Sequence, residues 1–120
     1  MSLMTLLFFT SVAHANDCES SSSNMAEIRA CIESDSSAEL DQAYLSLVSQ
    51  LKLKKPNAVA ALVKSQKSWE VFATDSCEYY AKLHSGQMIE ADSRLNCWSD
   101  FRAARVKVLQ SWQKSLLSAK

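Results

Sequence analysis

Few residues in this chain could do chemistry: four cysteines, two histidines and a spread of carboxylates. The cysteines are Cys18, Cys31, Cys77 and Cys97. No two of them have the short spacing of a zinc site, so no metal is expected. His14 sits in an N-terminal leader, which leaves His84 as the imidazole for any Ser-His-Asp or Cys-His arrangement. Nothing around His84 resembles a nucleophile elbow, and a lone histidine at a helix end reads as a cap or surface group. The acids are scattered along helical stretches, as on solvated faces, not paired as in a glycosidase. A phosphate-cradling loop needs several glycines, and the chain has one. The expectation is a protein that is not an enzyme, needs no cofactor and works by binding, with its cysteines used as disulfides.

Disulfides imply an oxidising compartment, and the N-terminus agrees. Residues 1–15 carry the apolar run Leu3-Met4-Thr5-Leu6-Leu7-Phe8-Phe9 and end in Ala13-His14-Ala15, the small-x-small pattern that signal peptidase cuts after. The stretch is too short to span a bilayer, and Cys18 lacks the preceding triplet read in lipoprotein processing. The chain is therefore expected to be exported to the periplasm, cut after Ala15 and carried without a membrane anchor, as one domain over residues 16–120. Such a domain can bury a core but gains from cross-links. Thirteen basic and thirteen acidic residues argue against nucleic-acid binding. Their distribution is uneven. Asn16 to Asp41 holds seven acids and one base, and Arg94 to Lys120 six bases and one acid. That dipole suits a charged partner or self-contact, and equally the packing of the two ends side by side.

The elements that must position these groups read as helices. One glycine and one proline leave little room for β-turns. Apolar residues recur at three- and four-residue intervals. Asn24 or Ser23 can cap a short helix to about Glu33. Ser36 with Glu39 fits a capping box for a second helix, whose stripe is Leu40, Ala43, Tyr44, Leu47, Val48 and Leu51. Lys52 to Asn57 ends it. A third helix opens at Pro56 or Asn57, carries Val59, Leu62, Val63, Gln66, Trp69, Phe72 or Ala73, Cys77, Tyr80 and Leu83, and stops at Ser85-Gly86. A fourth starts near Glu90 to Ser93 with Trp98, Phe101, Arg105, Val108, Leu109, Trp112 and Leu116 on its face. The expected fold is all-α: a small antiparallel bundle of one short and three longer helices, cross-linked by two disulfides.

Cys77 and Cys97 each lie ten residues from Gln87, in the middle of the last turn. Residues equidistant from the turn of a helical hairpin face each other, so these two are expected to bond and Cys18 to bond Cys31. The count alone allows three connectivities. Each bond would contribute about 3 kcal/mol in the loop-entropy model.

Cys18, Cys31, Leu40-Asp41-Gln42-Ala43-Tyr44, Gln66-Lys67-Ser68-Trp69, Phe72, Cys77, Cys97 and Arg105 with Leu109 follow one order. That order resembles the LprI-like lysozyme inhibitor family of small exported helical proteins. Gln-x-x-Trp with Cys eight residues after the Trp is its most specific part. Asp41 stands where the family usually has Asn, Ala73-Thr74 where it has Arg-Asp, and only Ser85-Gly86 remains of a glycine-serine loop. The resemblance implies an inhibitor or immunity protein against a lysozyme-like peptidoglycan hydrolase, either host lysozyme or a rival bacterium's secreted muramidase. The alternative is a non-catalytic interaction module for another envelope protein.

A hydrolase cleft carries two carboxylates, so an inhibitor must insert a segment with donors. Two stretches qualify: the turn His84-Ser85-Gly86-Gln87, and the basic stretch with Lys52, Lys54 and Lys55. Tyr44, Gln66, Trp69 and Arg105 lie on apolar stripes, and a buried polar network between helices is their expected role. Trp112 and Leu116 suit either the edge of the core or contact with a second copy in a homodimer.

Overall fold

The computed structural model describes residues 16–119. The leader, Met1–Ala15, and the expected cleavage after Ala15 lie outside the described residues. Four α-helices follow in order: α1 (Asn16–Ser21), α2 (Met25–Lys54), α3 (Val59–Leu83) and α4 (Glu90–Ser118), with a 3₁₀ turn at Pro56–Ala58 between α2 and α3. The fold is all-α, with one short and three long helices. The short helix, however, is not the expected one. It is α1, and the stretches expected to form two helices on either side of Asp35 are one continuous helix.

Local chemistry accounts for this. Asn24 Oδ1 accepts from the Glu27 backbone N–H at 3.0 Å, and the Glu27 carboxylate accepts from the Ser23 N–H at 2.7 Å. That reciprocal box starts α2. Ser36 could compete as a cap, but its hydroxyl is engaged inside the helix and beyond it. It donates to the Glu33 carbonyl at 3.2 Å and accepts from Arg102 of α4 at 3.0 Å. A serine inside a helix costs only a few tenths of a kcal/mol, less than a contact between helices returns. At the far end the Lys55 N–H closes on the Leu51 carbonyl at 2.8 Å, and Pro56 opens the 3₁₀ turn.

Packing centres on α4, which contacts both α2 and α3 extensively, while α2 and α3 touch each other far less. Cross-links in chain order show that α2 runs parallel to α4: Arg29 to Asp92, Glu33 to Arg102, Ser46 to Gln113. The pairs Cys77–Cys97 and Gln66–Arg105 show that α3 runs antiparallel to it. The main core joins Leu40, Ala43, Leu47 and Leu51 of α2 to Leu62 of α3 and to Val106 and Leu109 of α4. Further along α3 and α4 the buried residues are small: Ala73, Cys77, Ala81, Ser93 and Cys97. Such residues let the two backbones approach, and the Cα atoms of Cys77 and Cys97 are 5.5 Å apart. The Cys18–Cys31 bond, with Cα atoms 5.6 Å apart, ties α1 onto α2. Both disulfides have the connectivity the hairpin symmetry indicates. Phe72, Leu83, Val108 and Trp112, expected on buried stripes, are exposed.

Leu109 is fully buried, whereas Leu53 is 80% exposed. Urea unfolding should show Leu109→Ala destabilised by about 2–5 kcal/mol and Leu53→Ala changed by less than about 0.5 kcal/mol. Acid should act through two ion pairs. Hydrogen bonds from Arg29 and Arg94 hold the Asp92 and Glu78 carboxyls below their usual range. Both acids therefore titrate lower in the folded state, so their stabilisation is complete above the unfolded values of about 4 and is lost as pH falls through the folded ones. The urea midpoint should drop on acidification below about pH 4, and the drop should be smaller in Asp92→Asn.

Candidate functional site

The α3–α4 turn is built as a stiff projection. The His84 N–H closes on the Tyr80 carbonyl at 3.2 Å, and the His84 carbonyl then accepts from Gln87 and Met88 at 3.0 and 3.2 Å. Gly86 sits at φ +84°, in the left-handed region where a side chain would be strained. The His84 ring packs on Tyr80, with centroids 4.4 Å apart. Below the turn, Arg94 spans Glu78 at 2.7 Å and Glu90 at 3.1 Å, clamping the first turn of α4 to α3. Cys77–Cys97 lies about two helical turns down α3 from His84.

At this tip Ser85, Gly86 and Gln87 are exposed and His84 is half-buried. Beside them are exposed apolar groups: Leu83, expected on the buried stripe of α3, and Met88 and Ile89, which the sequence pattern placed on no stripe, the last 64% exposed. Their signal was available, since Met88-Ile89 is an apolar pair just past a glycine turn and on neither helix stripe. The tip thus offers a hydroxyl, a carboxamide and an imidazole next to uncovered apolar surface. That is the composition of a protein contact, an apolar centre with polar groups at its edge.

Lys52, Lys54 and Lys55 are also exposed but stand at the other end of the molecule. The 25 residues of α3 separate the two stretches, a span of about 37 Å, so they do not act together on one cleft. The lysines terminate α2, where cations offset the partial negative charge of the helix end.

Gln66, Trp69 and Arg105 do come together. Arg105 is 9% exposed. Its Nε donates to Gln66 Oε1 and its Nη2 to Ser65 Oγ, each at 3.0 Å. The guanidinium lies 5.8 Å from the Trp69 ring centroid and 5.2 Å from that of Trp112. No carboxylate pairs with it among the described residues. Burial lowers its affinity for the proton, and the two indole faces offset part of that cost. Tyr44 is not in this group; it packs against the leucine core of α2.

The acids of α1 and α2 form a second feature. Asp17, Glu19, Glu27, Asp35, Glu39 and Asp41 are exposed and unpaired with a cation among the described residues. The basic helix α4 does lie alongside α2, yet only Arg102 reaches one of these acids, Glu33, at 3.2 Å. Among the described residues one cluster has metal-ligand chemistry: Cys18, Cys31 and Asp35. Its two sulfurs are joined to each other and are not thiolates.

A covalently pinned helical scaffold with a stiff apolar tip and an acidic flank is the class these features define. The lysozyme inhibitor LprI family model matches residues 15–109, most of the chain, and the protein belongs to that family. No characterised protein and no solved structure shows a significant match to it.

The Arg105 geometry has a stability consequence. Gln66→Leu would remove the acceptor and leave the guanidinium short of a partner, at a cost of about 1–3 kcal/mol in urea unfolding. Gln66→Glu keeps an acceptor and should retain most of the stability.

Proposed function

We propose that this protein is exported, cut after Ala15, and acts in the periplasm by binding and blocking a lysozyme-like peptidoglycan hydrolase. Membership of a lysozyme inhibitor family carries the reading. The disulfides support it, because they need an oxidising compartment. No helix of the described residues is long and apolar enough to cross a membrane.

The physical task of such an inhibitor is to fill a sugar-shaped cleft and give its two carboxylates donors. In our reading the α3–α4 tip does this. Ser85, Gln87 and His84 supply donors, and Leu83, Met88 and Ile89 supply surface that gains by leaving water. A loop held by its own hydrogen bonds, a clamp and a disulfide loses little freedom on binding, which favours affinity. The exposed acids of α1 and α2 would steer a cationic lysozyme, making association faster at low salt.

A turbidity assay on cell-wall suspensions tests this. The protein of residues 16–120 should protect the walls from a cationic lysozyme, or from a muramidase encoded beside its gene. Ile89→Asp should weaken protection about tenfold or more, as for a central contact, while Lys54→Glu should not. Neither protection nor binding with both hydrolases would refute the proposal.

A further inference from the structure

One uncovered face has no part in the reading above. Between α3 and α4 runs a groove of about 390 Å³ whose lining includes Trp69, Phe72, Phe101, Ala104 and Val108, with Asp100 at its border. Phe72 is 62% exposed although its ring packs on Phe101 with centroids 5.7 Å apart. The two rings thus pack on each other, with Phe72 open to water and Phe101 half-buried. On α4 the positions Asp100, Ala104, Lys107 and Val108 follow the four-, seven- and eight-residue spacing of one helix face. Asp100 and Lys107 are both exposed, and neither has an ion partner among the described residues.

We propose that this face is a homodimer interface in which α4 of two copies packs antiparallel about a two-fold axis beside Ala104. The pattern is self-complementary under that operation. Ala104 meets its own copy, and its small side chain lets the helices approach. Phe101 and Val108 lie three and four residues on either side, so Phe101 faces Val108 of the partner subunit within one residue step. Asp100 and Lys107 stand in the same relation, so each interface holds two opposite-charge pairs flanking the apolar centre. A two-fold contact requires such self-matching of a single patch. Phe72 then closes over the partner subunit's helix. The axis lies 15 residues along α4 from Ile89, about 22 Å. Both tips remain free, one at each end of the dimer.

Sedimentation equilibrium of the oxidised protein of residues 16–120, loaded from about 1 to 200 µM, reads the association through mass action. A concentration-dependent dimer is expected. Asp100→Lys places like charges opposite each other twice, as does Lys107→Asp, and each should weaken dimerisation about tenfold or more. Combining the two restores opposite pairs and should return the dissociation constant to within about threefold of the parent. Phe72→Asp should leave a monomer. All three positions are exposed, and unchanged helical circular dichroism checks that each variant folds. A parent that is monomeric throughout overturns the proposal. So does a dimer indifferent to the single reversals, or a combined variant no better than either alone.

Discussion

Two long helices lean on a third that must satisfy both. Because α2 and α3 touch each other little, the fold depends on α4 carrying two buried stripes at once. Val106 and Leu109 complete the leucine core. Cys97 bonds Cys77 of α3, and Ser93 is fully buried one turn before it. Arg102 and Arg105 illustrate the two duties, one reaching Glu33 and Ser36 on α2, the other Gln66 and Ser65 on α3. Arg105 is the one charged residue buried among those described. A guanidinium tolerates this where an ammonium would not, because its planar faces stack on indoles while its edge donates to neutral oxygens.

Much of this was legible in the sequence, for a physical reason. A helical hairpin obeys a symmetry about its turn, so Cys77 and Cys97 reveal both their bond and the register of α3 against α4. The ends at Lys54 and at Ser85-Gly86 were equally readable, since proline and the lone glycine act locally. Local chemistry misled where tertiary contacts compete with it. Asp35-Ser36-Ser37 has the composition of a cap, but Ser36 finds its partners in Glu33 and in Arg102, which is 66 residues away. Nothing near Ser36 announces an arginine so distant in sequence.

The interaction surfaces were less legible than the core. Helical spacing placed Val108 and Trp112 on a buried stripe, and placed Phe72 as an alternative to Ala73. Periodicity tells which residues share a face but not whether a neighbour covers it. Phe72 and Val108 lie on the side of α3 and α4 that no other helix occupies. His84 to Gln87 was found as a turn, but the apolar pair beside it, Met88 and Ile89, and the exposure of Leu83 emerge only when the end of the hairpin is seen to project. Tyr44 shows the converse. A buried polar network is its expected role, yet it packs against the leucine-rich core.

The disulfides link only elements adjacent in the chain. Cys18 and Cys31 are 13 residues apart, Cys77 and Cys97 are 20 apart, and neither bond reaches between α2 and α4. The contacts between those two helices join residues more than 60 positions apart and are held by packing, hydrogen bonds and ion pairs, with no covalent link. Short loops close at lower entropic cost than long ones. Both cross-links can therefore close while α2 is still undocked from α4. Oxidation then certifies two local pieces of the molecule, not the molecule, and the docking of α2 on α4 stays noncovalent and reversible.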